Sequence, residues 1–226
     1  IALALCGEVG ELCEIFQWRD PTECEGLRGF TAREVRHVGE ELSDVLLYTV
    51  RLADLCRCNL PSALAAVFSA PGAEATPALD DAPGQPWPEL ALETVRQRVA
   101  SPSGAPRQLA LEVCVQAGLL CALMSRDSES NSAPGLPLWE AERLASLAAA
   151  LARLVVGVVR LSAACGVDLP HAVEAKMARN REKYPAALCH GKRDKYTAYV
   201  GARRLAWTVS AAGFGLLVLL GGVLLA

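Results

Sequence analysis

Four carboxylates stand at matching spacing near the start of the chain: Glu8 and Glu11 within GEVGELCEIFQW (7–18), and Glu41 and Asp44 within EELSDVLLY (40–48). Members of each pair are three residues apart, so on a helix they share one flank. In the first segment Leu5, Val9, Leu12 and Phe16 recur at helical spacing, with Glu8 and Glu11 beside that stripe and Glu14 almost opposite, as solvated surface. In the second, Glu41 and Asp44 border an apolar set that includes Leu42, Val45, Leu46 and Thr49. Either pair alone is the ordinary edge of an amphipathic helix. Two antiparallel helices joined by a modest loop, however, bring ExxE and ExxD face to face. Carboxylates converging in a partly buried groove repel one another and resist ionisation unless a hard cation neutralises them. Mg2+ accepts such oxygen ligands and keeps positions open for phosphate oxygens and water. The expectation is one Mg2+ held by Glu8, Glu11, Glu41 and Asp44.

The elements that must position these residues are helical by composition. Of the 226 residues 52% are hydrophobic, with Ala and Leu dominant, and only 5% are aromatic, which favours an all-α fold over sheet. A formal net charge of -3 argues against a nucleic-acid-coating surface. Nine cysteines show no zinc-type pairing. Cys6, Cys13, Cys56, Cys114, Cys121 and Cys165 lie in helix-like apolar runs and read as small buried hydrophobes of a reducing compartment. Thr31 and Glu34 have capping-box spacing and open a long helix over 31–58, which stops at Asn59-Leu60-Pro61 before a short apolar piece. From 69 to 106 Pro, Gly, Ala and Ser take over, as in a linker, with room for a short helix at 89–99.

Beyond the linker the first half returns. A shift of 108 pairs Cys6 with Cys114, Gly10 with Gly118 and Cys13 with Cys121; a shift of 109 pairs Cys56 with Cys165 and Leu60-Pro61 with Leu169-Pro170. This predicts a tandem duplication of one helical-hairpin unit. The copy faces Glu8 with Gln116, Glu11 with Leu119, Glu41 with Ala150 and Asp44 with Arg153, so a single metal site per chain is expected. The predicted organisation is a carboxylate-bearing repeat over 1–68, a linker over 69–106, a degenerate repeat with a basic tail over 107–200, and a membrane helix over 205–226. That last stretch has no charge in 22 residues. As a helix it reaches about 33 Å, enough to cross a bilayer's hydrocarbon core. Lys192, Arg193, Lys195, Arg203 and Arg204 precede it, a positive flank that predicts a tail-anchored body on the cytosolic face of a membrane. Because Ile1 already lies inside a periodic apolar segment, the chain reads as a fragment, and a targeting signal ahead of it would be invisible.

GEVGELCEIFQW and EELSDVLLY, together with AKMARNREKYP (175–185) and RDKYT (193–197), resemble the all-α MazG-like nucleoside triphosphate pyrophosphatases, in their dCTP pyrophosphatase branch. The resemblance covers about residues 1–64 and 160–197. It implies a MazG-like helical bundle in which Glu8, Glu11, Glu41 and Asp44 are catalytic ligands of Mg2+. Water then cleaves a dCTP-like triphosphate into monophosphate and pyrophosphate. It further implies that Trp18 and Tyr48 line the base pocket and that Lys176, Asn180 and Tyr184 contact the nucleotide. Core packing for the two aromatics, and a solvated basic face for Lys176, Arg179, Arg181 and Lys183, are the competing readings. Such proteins assemble as dimers or tetramers. Here the tail block follows the second copy, so the expectation is a covalent pseudo-dimer with one shared site, able to pair again as a homo-dimer of pseudo-dimers. Two other classes stay open: a catalytically inactive membrane-tethered scaffold, and a plain helical interaction module.

Overall fold

The computed structural model describes residues 1–68, 95–97, 104–126 and 133–185. All regular elements among them are helical. The main helices are α1 (Ala2–Gln17), α2 (Ala32–Leu55), α3 (Leu60–Phe68), α4 (Pro106–Ser125), α5 (Ala141–Cys165) and α6 (Leu169–Lys183). A turn of helix, Pro21–Cys24, and a tight turn, Glu25–Leu27, connect α1 to α2. The chain divides into two compact units, residues 1–176 and 177–226. The segment 205–226 expected to cross a membrane lies outside the described residues, as do most of the linker and residues 186–200.

In the first unit α1 packs on α2 and α4, α4 on α5, and α2 on α5. The core is the sum of their stripes: Leu5, Val9, Leu12 and Phe16 from α1, Val38, Leu42, Val45 and Leu46 from α2, Leu109, Val113 and Leu120 from α4, and Leu151, Leu154, Val158 and Leu161 from α5. Val95, inside the expected linker, is also buried in this core, within a helical stretch at 95–97. By length and composition α4 and α5 would pass for membrane spans, but more than half of the apolar window in α5 is buried inside the bundle.

Capping follows the sequence. Thr31 Oγ1 accepts from Glu34 N, and the Glu34 carboxylate accepts from Thr31 N at 2.8 Å, the reciprocal box that starts α2. Leu60-Pro61 behaves otherwise than expected. It does not stop α2 but opens α3, and Leu169-Pro170 opens α6, because proline fits the first turn of a helix, where its missing N–H is not needed. The stop itself is a left-handed residue: Arg57 (φ 50) after α2 and Gly166 (φ 66) after α5.

These two stops are 109 residues apart, and other local details recur at the same distance. Gly26-Leu27 and Gly135-Leu136 are all left-handed, at φ 58, 54, 80 and 51. Phe30 N donates to Leu27 O as Trp139 N does to Leu136 O, both at 3.0 Å. Ser62 N donates to Asn59 Oδ1 at 3.1 Å, and His171 N to Asp168 Oδ1 at 3.2 Å. The short helices are exchanged between halves. α3 packs on α5, while α6 lies on α2, where a Cβ on Gly39 would sit 3.2 Å from that of Ala172.

The cysteines correct the expectation of uniform burial. Cys24, Cys56 and Cys165 are buried, but Cys6, Cys13, Cys58 and Cys121 are only partly covered and Cys114 is exposed. The pairs on α1 and α4 sit at the margin of the helix contact and not under it.

Candidate functional site

Three contacts fix α1 and α2 as an antiparallel pair. Arg19 forms an ion pair with Glu34, the Phe16 and Phe30 rings are 6.3 Å apart, and Glu8 and Glu11 meet Glu41. One carboxylate oxygen from each of Glu8, Glu11 and Glu41 lies within 4.8 Å of the others. Glu41 is 5% exposed, Glu8 is half-buried, and Glu11 faces solvent. The trio therefore forms a funnel with Glu41 at its base.

Electrostatics mark this as a strained arrangement. Burial pushes the Glu8 carboxyl up to about 7, with Asp44, Glu11 and Glu41 adding repulsion and Lys176 opposing it. Burial likewise raises Glu41 to about 7 despite the nearby Lys176, with Asp44, Glu11 and Glu40 contributing in the same direction. His37, one helical turn earlier on α2, places Nδ1 3.3 Å from Glu41 Oε1. Glu41 Oε2 is buried and has no hydrogen-bond partner. A buried carboxylate oxygen left bare is costly, and a hard cation, if held by the three carboxylates, would satisfy it.

Asp44 stands beside the trio, close enough to raise the pKa of Glu8 and Glu41. Its carboxylate forms an ion pair with Lys176 from α6, and both side chains are largely buried, at 13% and 12% exposure. The chain's second half thus reaches the acids of the first. Tyr48 is half-buried one turn beyond Asp44, and Trp18 is 86% exposed at the end of α1. Each aromatic lies seven residues past an acid of the trio, Trp18 past Glu11 and Tyr48 past Glu41, on helices running in opposite directions. At about 1.5 Å per residue they stand roughly 10 Å to either side of the acids along the groove. Asn180 and Tyr184 belong to the second unit, where Tyr184 N donates to Asn180 O at 2.8 Å.

Sequence reasoning missed His37, although an H-x-x-x-E spacing ahead of a candidate ligand was a readable signal. At the equivalent place in the second half, Gln116 stands for Glu8 with a buried Oε1 lacking a partner, and Ala150 stands for Glu41. Among the described residues no second acidic cluster forms there.

No family model matches the chain, and no solved structure does. Curated relatives do. The chain is similar to human dCTP pyrophosphatase 1, 53% identical over 64 residues, which is 28% of this chain and 37% of that protein. The bovine protein of the same name is 52% identical over 64 residues, with the same coverage. The chain's match thus spans little more than a third of those two relatives. The rat dCTP pyrophosphatase 1 matches more extensively, 35% identical over 118 residues, 49% of this chain and 68% of the relative. On that extended match, and with an all-helical frame carrying the acidic groove, the chain belongs to the MazG-like dCTP pyrophosphatase family.

Proposed function

We propose that the chain is a Mg2+-dependent nucleoside triphosphate pyrophosphohydrolase. It takes dCTP or a modified pyrimidine deoxynucleoside triphosphate to the monophosphate and pyrophosphate, and so cleanses the nucleotide pool. The observation that carries this reading is the funnel of Glu8, Glu11 and Glu41 with its bare buried oxygen. The relatives' name supplies the substrate class.

In this reading Glu8, Glu11 and Glu41 hold the ion, with Asp44 completing the acidic wall. When bound, Mg2+ supplies positive charge to phosphate oxygens and lowers the pKa of nearby water. The chain's own residues do the rest. One carboxylate of the acidic wall left free by the ion would accept the proton of the attacking water. That oxygen bonds to phosphorus as the bridge between the alpha and beta phosphates breaks and pyrophosphate leaves. Lys176 has three donors, of which Asp44 orients one, leaving two for phosphate oxygens. Asn180 and Tyr184 contact the remainder of the nucleotide, and either Trp18 or Tyr48 offers a stacking face.

The architecture in this reading is a duplicated unit folded as a pseudo-dimer, 1–68 and 107–200 joined through 69–106. The turns recurring at a separation of 109 and the exchanged α3 and α6 support it. An outward seam supports further pairing with a second copy: exposed Leu3, Gly7 and Gly10 on α1, and exposed Leu111, Val115 and Gly118 on α4, occupy equivalent positions at the 108 shift. Residues 205–226 then anchor the body to the cytosolic face of a membrane.

The test is pyrophosphate release from a panel of triphosphates by the full chain, with and without Mg2+. Release from dCTP-like substrates with Mg2+ alone, and a loss of about 100-fold or more in Glu41→Gln, is expected. Equal release by Glu41→Gln refutes the reading. Absence of release from every triphosphate favours the inactive scaffold.

A further inference from the structure

The mechanism above leaves the cysteines of α1 and α4 unused, yet among the described residues they form a regular thiol arrangement. On α1 they are Cys6 and Cys13, and on α4 Cys114 and Cys121; both spacings are seven residues, two helical turns, so each helix presents its two thiols along one side. The helices pack with opposite direction. Cys6 Sγ lies 2.9 Å from Cys121 Sγ. One heptad along α1, Cys13 Sγ donates to Ala110 O of α4 at 3.7 Å. The 108-residue shift sends Cys6 to Cys114 and Cys13 to Cys121.

Thiols merely packed as apolar filler do not need to face one another in register. A disulfide joins sulfurs at about 2.05 Å, and the Cys6–Cys121 pair needs only a small side-chain movement to reach that separation. Neither partner is sealed off, since both side chains retain partial solvent exposure. Among the other described cysteines, Cys24, Cys56 and Cys165 are buried.

We propose that Cys6 and Cys121 are an oxidation site, a dithiol that a peroxide converts to a disulfide bridging the two halves of the chain. Peroxide oxygen is attacked by one sulfur, giving a sulfenic acid and releasing water. The second sulfur displaces the sulfenic oxygen as another water, forming the S–S bond. Two thiols and one hydrogen peroxide thus become one disulfide and two waters, and a low-molecular-weight thiol reverses the step by exchange. The link spans 115 residues of sequence, so it clamps α1, which carries Glu8 and Glu11, to α4.

The experiment exposes the full chain to hydrogen peroxide, blocks remaining thiols by alkylation under denaturing conditions, and maps peptides without reduction. A Cys6–Cys121 cross-linked peptide is expected, with a mass lower by about 2 Da than the two thiol peptides and absent after reduction. The oxidised chain should also melt several degrees higher than the reduced one. Cys121→Ser should remove both effects, while Cys114→Ser keeps the cross-link. Should Cys121→Ser fail to fold, Cys6→Ala serves the same purpose. Recovery of Cys6 and Cys121 as separately alkylated peptides, or as independent sulfinic and sulfonic acids, overturns the proposal. So does a cross-link joining either of them to a different cysteine in its place.

Discussion

Glu41 shares one carboxylate oxygen with His37 and keeps the other bare in an almost dry setting. With Glu8 it is held near pKa 7, so protons, in the absence of a cation, do the neutralising. The sign of the consequence follows from linkage. A carboxyl whose folded pKa is raised from 4.5 to about 7 binds more protons folded than unfolded across that window. Its favourable contribution is complete below the lower value and is lost as pH rises through the upper one. Melting of the metal-free chain should therefore show these two groups withdrawing stability between pH 4.5 and 7. Mg2+ should restore it, raising Tm at pH 7.5 by about 2–4 °C for each kcal/mol of differential binding, and hardly at all at pH 4.5. An equal Mg2+ effect at both pH values, followed by calorimetry, would contradict the carboxylate funnel as the binding site. At the same scale, Lys176→Ala removes a largely buried charge from Asp44 and a donor from the nucleotide. Its expected signature is a KM increase of roughly 10- to 100-fold, partly recovered by Lys176→Arg, with kcat less affected. Steady-state kinetics with a dCTP-like substrate measures it, and an unchanged KM would separate the second half from the site.

Helix ends and crossings set where these side chains point. The Thr31–Glu34 box fixes the start of α2 and so the phase at which Glu41 and Asp44 face α1. Thr31→Ala is expected to cost about 0.5–2 kcal/mol of stability, read from the denaturant midpoint. Gly39 lies at the α2–α6 crossing, where an added Cβ would press on that of Ala172 at 3.2 Å. Gly39→Val inserts three carbons there, and a loss of about 1–3 kcal/mol is expected. It should also raise KM by displacing Lys176, whereas Thr31→Ala should leave KM nearly alone. If Gly39→Val changes stability without touching KM, then α6 does not deliver its lysine through this contact. The left-handed stops after α2 and α5 illustrate how one backbone solution is served by different residues: Gly166 adopts it without strain, while Arg57 adopts the same turn at a steric cost.

At the scale of the molecule, α3 packs on α5 and α6 on α2, so the proposed pseudo-dimer has halves that are each incomplete alone. A protease site inserted near residue 80 and cleaved after folding should leave the two pieces co-eluting as one species by size-exclusion chromatography. The α1–α4, α2–α5 and α3–α5 contacts all cross the cut. Dissociation at micromolar concentration would argue against the pseudo-dimer. The helices themselves were legible beforehand, because the 3.6-residue recurrence of Leu5, Val9, Leu12 and Phe16 and the capping box at Thr31 are local signals that need no partner. The ExxE and ExxD pairs were equally legible, since a three-residue spacing on a helix already decides that two carboxylates share a flank. What stayed hidden was everything that depends on which helices meet. That Asp44 is taken by Lys176, 132 residues away, follows from the packing of α6 on α2. The facing of Cys6 with Cys121 follows from that of α1 on α4. By itself the sequence determined the period, the caps and the residue types able to bind a hard cation. Tertiary structure alone decided their neighbours and their burial, because desolvation and charge pairing exist only once distant segments share the same low-dielectric space.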